Sequence, residues 1–130
     1  MATPNPLENT HDSGHPGPIS KRVFHIAGIV TTVYGLDELP DVKDVACLWL
    51  LHPRLQTQEI MEPVASSAIK AWNERLKTTQ ARKGLIAVSF DQRNHGSREV
   101  NKLANEAWGK GNPTHAPDMF SIYRLSLIHI

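Results

Sequence analysis

Cysteine is all but missing from this chain of 130 residues: Cys47 is the single one. A lone cysteine closes no internal disulfide, which excludes a disulfide-stapled secreted scaffold and points to a reducing, cytoplasmic setting. Blocks of like charge are missing too. The 14 Lys and Arg nearly balance 13 Asp and Glu, and no basic run exceeds the pairs Lys21-Arg22 and Arg82-Lys83. That excludes the electrostatic footprint of a nucleic-acid partner. No apolar run approaches the length of a membrane-spanning helix, so no membrane partner is expected. Residues 1–20 are rich in Pro, Gly, Asn, Ser and His and lack the apolar core of a secretory signal; they read as a disordered tail. Metal-ligand spacing is missing as well. His52, His95 and His115 are far apart, and His11 and His15 sit together only in the tail, so neither metal nor cofactor is expected.

What is present is alternation of apolar runs with turn residues. Arg22–Ile29 reads as a first strand, and Val30–Tyr34 as a second, antiparallel strand or its continuation. Gly35-Leu36-Asp37-Glu38-Leu39-Pro40 punctuates their end. Val45–Leu51 is apolar throughout and short, as a central parallel strand is. Ile60–Lys77 carries Met61, Val64, Ala65, Ala68, Ile69, Trp72 and Leu76 at helical steps, which predicts an amphipathic helix. Leu85–Phe90 is a second buried strand, and Val45–Phe90 together make a βαβ crossover. Leu85–Phe90 is expected to form an uncovered sheet edge. Glu99–Lys110 suits a short helix, and Asp118 an N-cap for a turn over Met119–Tyr123. Cys47 and the tryptophans Trp49, Trp72 and Trp108 are expected in the core.

The segment Gly84–Arg98, GLIAVSFDQRNHGSR, ends in a charged turn where open α/β sheets place ligand sites. It resembles the Asp-x-Arg-Gly-x-Gly-x-Ser loop that follows the fourth strand of α/β-hydrolase enzymes. Asp91, Arg93 and Gly96 match. Asn94 stands where the family often has Gly, and Asn is the next best residue at positive φ. The phrases DQRNHGSREVNKLANEAW and THAPDMFSIY are similar to uncharacterised fungal α/β-hydrolase proteins, and the extended likeness covers Lys21–Tyr123.

The resemblance implies the N-terminal part of an α/β-hydrolase sheet: an antiparallel start, then parallel strands with a crossover helix. Such a domain is about twice this length or more, so the fold is expected to be incomplete. For the longer parent protein the resemblance implies serine-dependent hydrolysis of an ester, thioester or small amide, with a small-molecule substrate and no cofactor. The nucleophile of that family sits in Gly-x-Ser-x-Gly, which this sequence does not contain, so no catalytic triad residue is expected here. Half of an oxyanion hole remains open to it. His52-Pro53-Arg54 falls where the family often has His-Gly-x, and because Pro53 has no N–H the donor would be the backbone of Arg54 or Leu55. The other reading is that His52 packs at the strand end and Pro53 stops the strand. Asp91, Arg93, His95 and Gly96 are expected to structure the loop beside the site, with an Asp91–Arg93 ion pair holding the turn. The competing reading of Asp91 is a triad acid.

The last six residues, Leu125-Ser126-Leu127-Ile128-His129-Ile130, are what one reading frame of a common transposon adapter, CTGTCTCTTATACACATC, encodes. Residues 21–124 are thus expected to be a partial hydrolase domain, and 125–130 an adapter-derived scar. Two other classes compete: a short non-catalytic α/β binding or scaffolding module, and a flavodoxin-like or dinucleotide-binding domain. The second would want a glycine-rich loop after the first strand, and Gly28 alone is not one.

Overall fold

The computed structural model describes residues 18–80 and 83–128. The expected tail over 1–17 lies outside them. Four strands and two helices make a mixed α/β fold: β1 (Lys21–Ile26), β2 (Ile29–Tyr34), β3 (Asp44–Leu50), α1 (Glu62–Thr78), β4 (Lys83–Phe90) and α2 (His115–Ile128).

β1 and β2 form a tight hairpin in which Ile26 faces Ile29 across the two-residue turn Ala27-Gly28. Both turn residues have positive φ, 50° and 78°. That is the backbone hand that matches strand twist, and it settles β2 as a separate antiparallel strand. The sheet order is β1-β2-β4-β3, with β2 antiparallel and β3 parallel to β4. The strand pair joined by α1 is therefore adjacent, as a crossover unit requires.

α1 forms where apolar residues recur at helical spacing. A 3-10 turn over Gln58–Met61 leads into it, Pro63 lies in its first turn, and Arg75 and Lys77 sit in its last turn. Cations there oppose the negative end of the helix dipole. Met61, Ala65 and Ile69 bury against Tyr34, Leu50 and Ala87, and this is the core. Ile19 packs on its margin, and Ser20 N–H donates to Glu38 Oε1 at 2.6 Å.

Expectations for two strands and three side chains change here. β3 is an edge strand of the described sheet rather than a central one, and β4 is interior rather than an open edge. An apolar run shows that a strand suits burial, not which strands flank it. Only one β3 face meets α1, so Val45 and Trp49 stay 46% and 41% exposed, and Cys47 is exposed with them. Trp108 is exposed too, packing edge-on to His115 with ring centroids 5.2 Å apart.

The stretch after Arg98 is not an α-helix. It forms two 3-10 turns, Lys102–Asn105 and Trp108–Lys110. Side-chain amides take over the backbone there. Asn94 Oδ1 accepts from the N–H groups of Val100 and Asn101 at 2.9 and 2.8 Å, and Asn112 Nδ2 donates to the carbonyls of Ala104 and Glu106. Such local bonds offer the chain an alternative to the helical ladder. α2 begins at His115, four residues before Met119, because Asp118 N–H already donates to Thr114 O at 3.0 Å. Asp118 is thus a first-turn residue rather than the cap.

Candidate functional site

Parallel pairing brings the C-terminal ends of β3 and β4 to the same side, and the segments that leave them meet there. After β3, Gln56 N–H donates to Pro53 O at 3.1 Å, closing a turn with Leu55 at φ +66°. That is a type II position, uncommon for a residue with a side chain. After β4 comes the loop Asp91–Arg98, where Asn94 and Gly96 have φ of +60° and +51°.

Asp91 organises this loop. It is 2% exposed. Its Oδ1 accepts from Gln58 N–H at 2.9 Å, and its Oδ2 from both the N–H and the hydroxyl of Ser97, each at 2.8 Å. A Cβ added at Gly96 would fall on the Asp91 carboxylate, so no other residue fits without rearrangement. Burial alone would raise the Asp91 pKa. The Ser97 and Gln58 amides, the Ser97 hydroxyl and nearby His52 outweigh it, holding the carboxyl below its ordinary value.

The expected Asp91–Arg93 ion pair does not occur among the described residues. Arg93 is exposed and donates instead to Ser121 Oγ on α2, while Arg98 Nη1 reaches the Asp91 carbonyl at 3.0 Å. The Asp91 side chain is already satisfied by Gln58 and Ser97, so the cation two residues on is left to tie the loop to α2.

His52 and His95 lie side by side, their ring centroids 5.3 Å apart. Gln92 N–H donates to His52 Nε2 at 3.0 Å, so Nε2 carries no proton and Nδ1–H donates to Pro53 O at 2.9 Å. Burial lowers the His52 pKa and neighbouring His95 adds to that, against the Pro53 carbonyl and the Asp91 carboxylate 4.0 Å away. His52 is therefore a neutral strap between the two segments. Gln92 closes the strap from the other side, its Nε2 donating to His52 O. The pairing of His52 with Gln92 joins residues 40 apart in sequence, and no local pattern announced it.

Beside this strap lies a cleft of about 240 Å³. Arg54, Gln92 and His95 line its sheet side, and Met119, Ile122 and Tyr123 of α2 line the other. Of the residues expected at a site, Arg54 and His95 border the cleft; Leu55, Asp91, Arg93 and Gly96 stand behind or beside it. The Arg54 guanidinium donates to Asn105 O at 3.0 Å, tying the turn after β3 to the segment after Arg98. Ser97 spends its hydroxyl proton on Asp91, with no histidine as partner, so Asp91, Ser97 and the two histidines do not form a nucleophile and base. Ser89 is fully buried. Among the described residues no cluster of three or more His, Cys, Asp or Glu could hold a metal ion, and no helix is long and apolar enough to cross a membrane.

No protein-family model matches the chain, and no curated protein does. Among solved structures, TT1662 from Thermus thermophilus is similar at 17% identity and a TM-score of 0.43, over 84% of this chain and 35% of that one. The chain thus spans about a third of that protein's length.

Proposed function

We propose that this chain is the N-terminal, oxyanion-side part of a serine-dependent α/β-hydrolase acting on a small ester, thioester or amide. The observation that carries the reading is the meeting of the Pro53–Gln56 turn and the Asp91–Arg98 loop at one cleft. That cleft lies beyond the C-terminal ends of two parallel neighbours, β3 and β4, where open α/β sheets bind ligands. The antiparallel opening and the α1 crossover agree with it, as do Asp91, Arg93 and Gly96 in the resembling loop.

In this reading the Arg54 N–H is the oxyanion donor. A donor aimed at the developing negative charge works only if its position is fixed beforehand. His52 supplies that: it holds the Pro53 carbonyl through Nδ1–H and the β4 loop through Nε2. Leu55 lies outside the cleft lining and is the weaker donor candidate. Nucleophile, base and acid come from sequence beyond this chain.

The test is fluorophosphonate labelling of the parent protein, read from a transcript continued past codon 124. Labelling at a Gly-x-Ser-x-Gly serine supports the assignment. A parent without that motif, binding small molecules but not labelling, would instead favour a non-catalytic module.

A further inference from the structure

The join between the two turns beside the cleft contains a titratable atom. Gln92 N–H donates to His52 Nε2 at 3.0 Å, and the His52 side chain is fully buried. Protonation of Nε2 would set two N–H groups face to face, because an imidazolium only donates. A second partner is within reach: Asp91 Oδ1 lies 4.0 Å from the same nitrogen. That oxygen accepts from Gln58 N–H at 2.9 Å, and a carboxylate oxygen can accept twice. The Nδ1–H bond to Pro53 O at 2.9 Å is spared, since Nδ1 donates in both forms of the ring. The bond from Gln92 Nε2 to His52 O does not titrate either.

We propose that His52 is a proton-operated clasp on the cleft: on protonation its Nε2–H leaves Gln92 N–H and donates to Asp91 Oδ1, and the turn after β3 shifts against the loop after β4. One neutral hydrogen bond is exchanged for one charge-assisted bond, the proton coming from solvent. Closing 4.0 Å to hydrogen-bond length takes about 1 Å of movement. The Pro53 carbonyl keeps the ring fixed to its own turn, and the Gln92 side chain is the hinge. Arg54 and Gln92 line the cleft from either side of this join, so its sheet-side wall is remade. Burial sets the exchange below the ordinary 6.5, helped by the His95 ring 5.3 Å away and opposed by Pro53 O, Asp91 and Glu59 of the 3-10 turn. Asp91, held below its own ordinary value, is still a carboxylate there and can receive the N–H. α2 meets the cleft with Met119, Ile122 and Tyr123, and the Arg54 guanidinium is engaged by Asn105 O. The clasp is independent of whether the parent hydrolyses anything; that it would also displace an oxyanion donor at Arg54 rests on the hydrolase reading.

The test is solution NMR of the whole 15N-labelled chain, titrated from neutral pH to about pH 5. At neutral pH a 15N–15N coupling through the hydrogen bond should link Gln92 N to His52 Nε2. The coupling should vanish with the midpoint at which Nε2 gains its proton, below pH 6.5. The Gln58 and Ser97 amides, which bind Asp91, should stay protected from hydrogen exchange throughout. In Asp91→Asn the midpoint should fall to lower pH, because the new acceptor has lost its charge. A coupling that outlives protonation overturns the proposal, as does an Nε2–H tautomer at neutral pH. Loss of protection at Gln58 and Ser97 with the same midpoint means unfolding rather than a clasp, and overturns it too. So does an Asp91→Asn midpoint equal to that of the unaltered chain. Should that variant not fold, the coupling and the two amides of the unaltered chain decide. None of these readouts involves turnover, so their failure leaves the hydrolase reading untouched.

Discussion

At Asp91 one carboxylate carries the turn beyond β4, accepting from Gln58 and twice from Ser97. Removing it leaves buried donors unpaired, so Asp91→Ala should cost about 1–3 kcal/mol of stability by urea unfolding. In the restored parent, activity of the folded fraction should fall far less than on loss of the nucleophile. A collapse of kcat at unchanged Tm would make Asp91 the triad acid instead. Gly96→Ala pushes a methyl against the same carboxylate at φ +51° and should destabilise by a similar amount, about 1–3 kcal/mol. His52 adds a pH dependence. Its folded pKa lies below the ordinary 6.5, so below that pH the unfolded chain binds the proton that the folded chain refuses. Stability is fully present above pH 6.5 and falls as pH drops toward the lower folded value. The urea midpoint should therefore decrease between neutral pH and about pH 5. His52→Gln should flatten that slope, and an unchanged slope would show that His52 is not the group responsible.

At the scale of elements, α1 and the β3 edge behave differently. Ile69 is wholly buried between α1 and the sheet, so Ile69→Ala should cost about 2–5 kcal/mol through lost contacts and the cavity left behind. β3 presents a strand edge together with exposed Val45 and Trp49, a template for pairing with another chain. Of these two strands, aggregation should accordingly start at β3 and not at β4. Val45→Lys should raise the concentration at which light scattering appears while Tm stays nearly constant. If the same gain came only from changes in β4, the assignment of the edge would be wrong.

Over the whole molecule, the chain should show no fluorophosphonate labelling, because Ser89 is buried, Ser97 is bound to Asp91, and no described serine pairs with a histidine. Labelling abolished by mutating one of its own serines would defeat that expectation. The sequence by itself determined what is local. The spacing of Met61, Ala65 and Ile69 specifies a helix face, the β-branched run Val30–Tyr34 a strand, and Asn94 and Gly96 a turn that needs positive φ. These follow from the periods of helix and strand and from backbone sterics within a few residues. Tertiary structure alone decided which strand lies inside the sheet, which tryptophans stay wet, and how residues 99–110 fold once the Asn94 and Asn112 amides reach the backbone. It alone also joined His52 to Gln92 and set His95 beside Arg54 at one cleft. Those contacts are between residues far apart in the chain, and their hydrogen bonds exist only after the parallel pairing of β3 with β4 has brought two distant loops together.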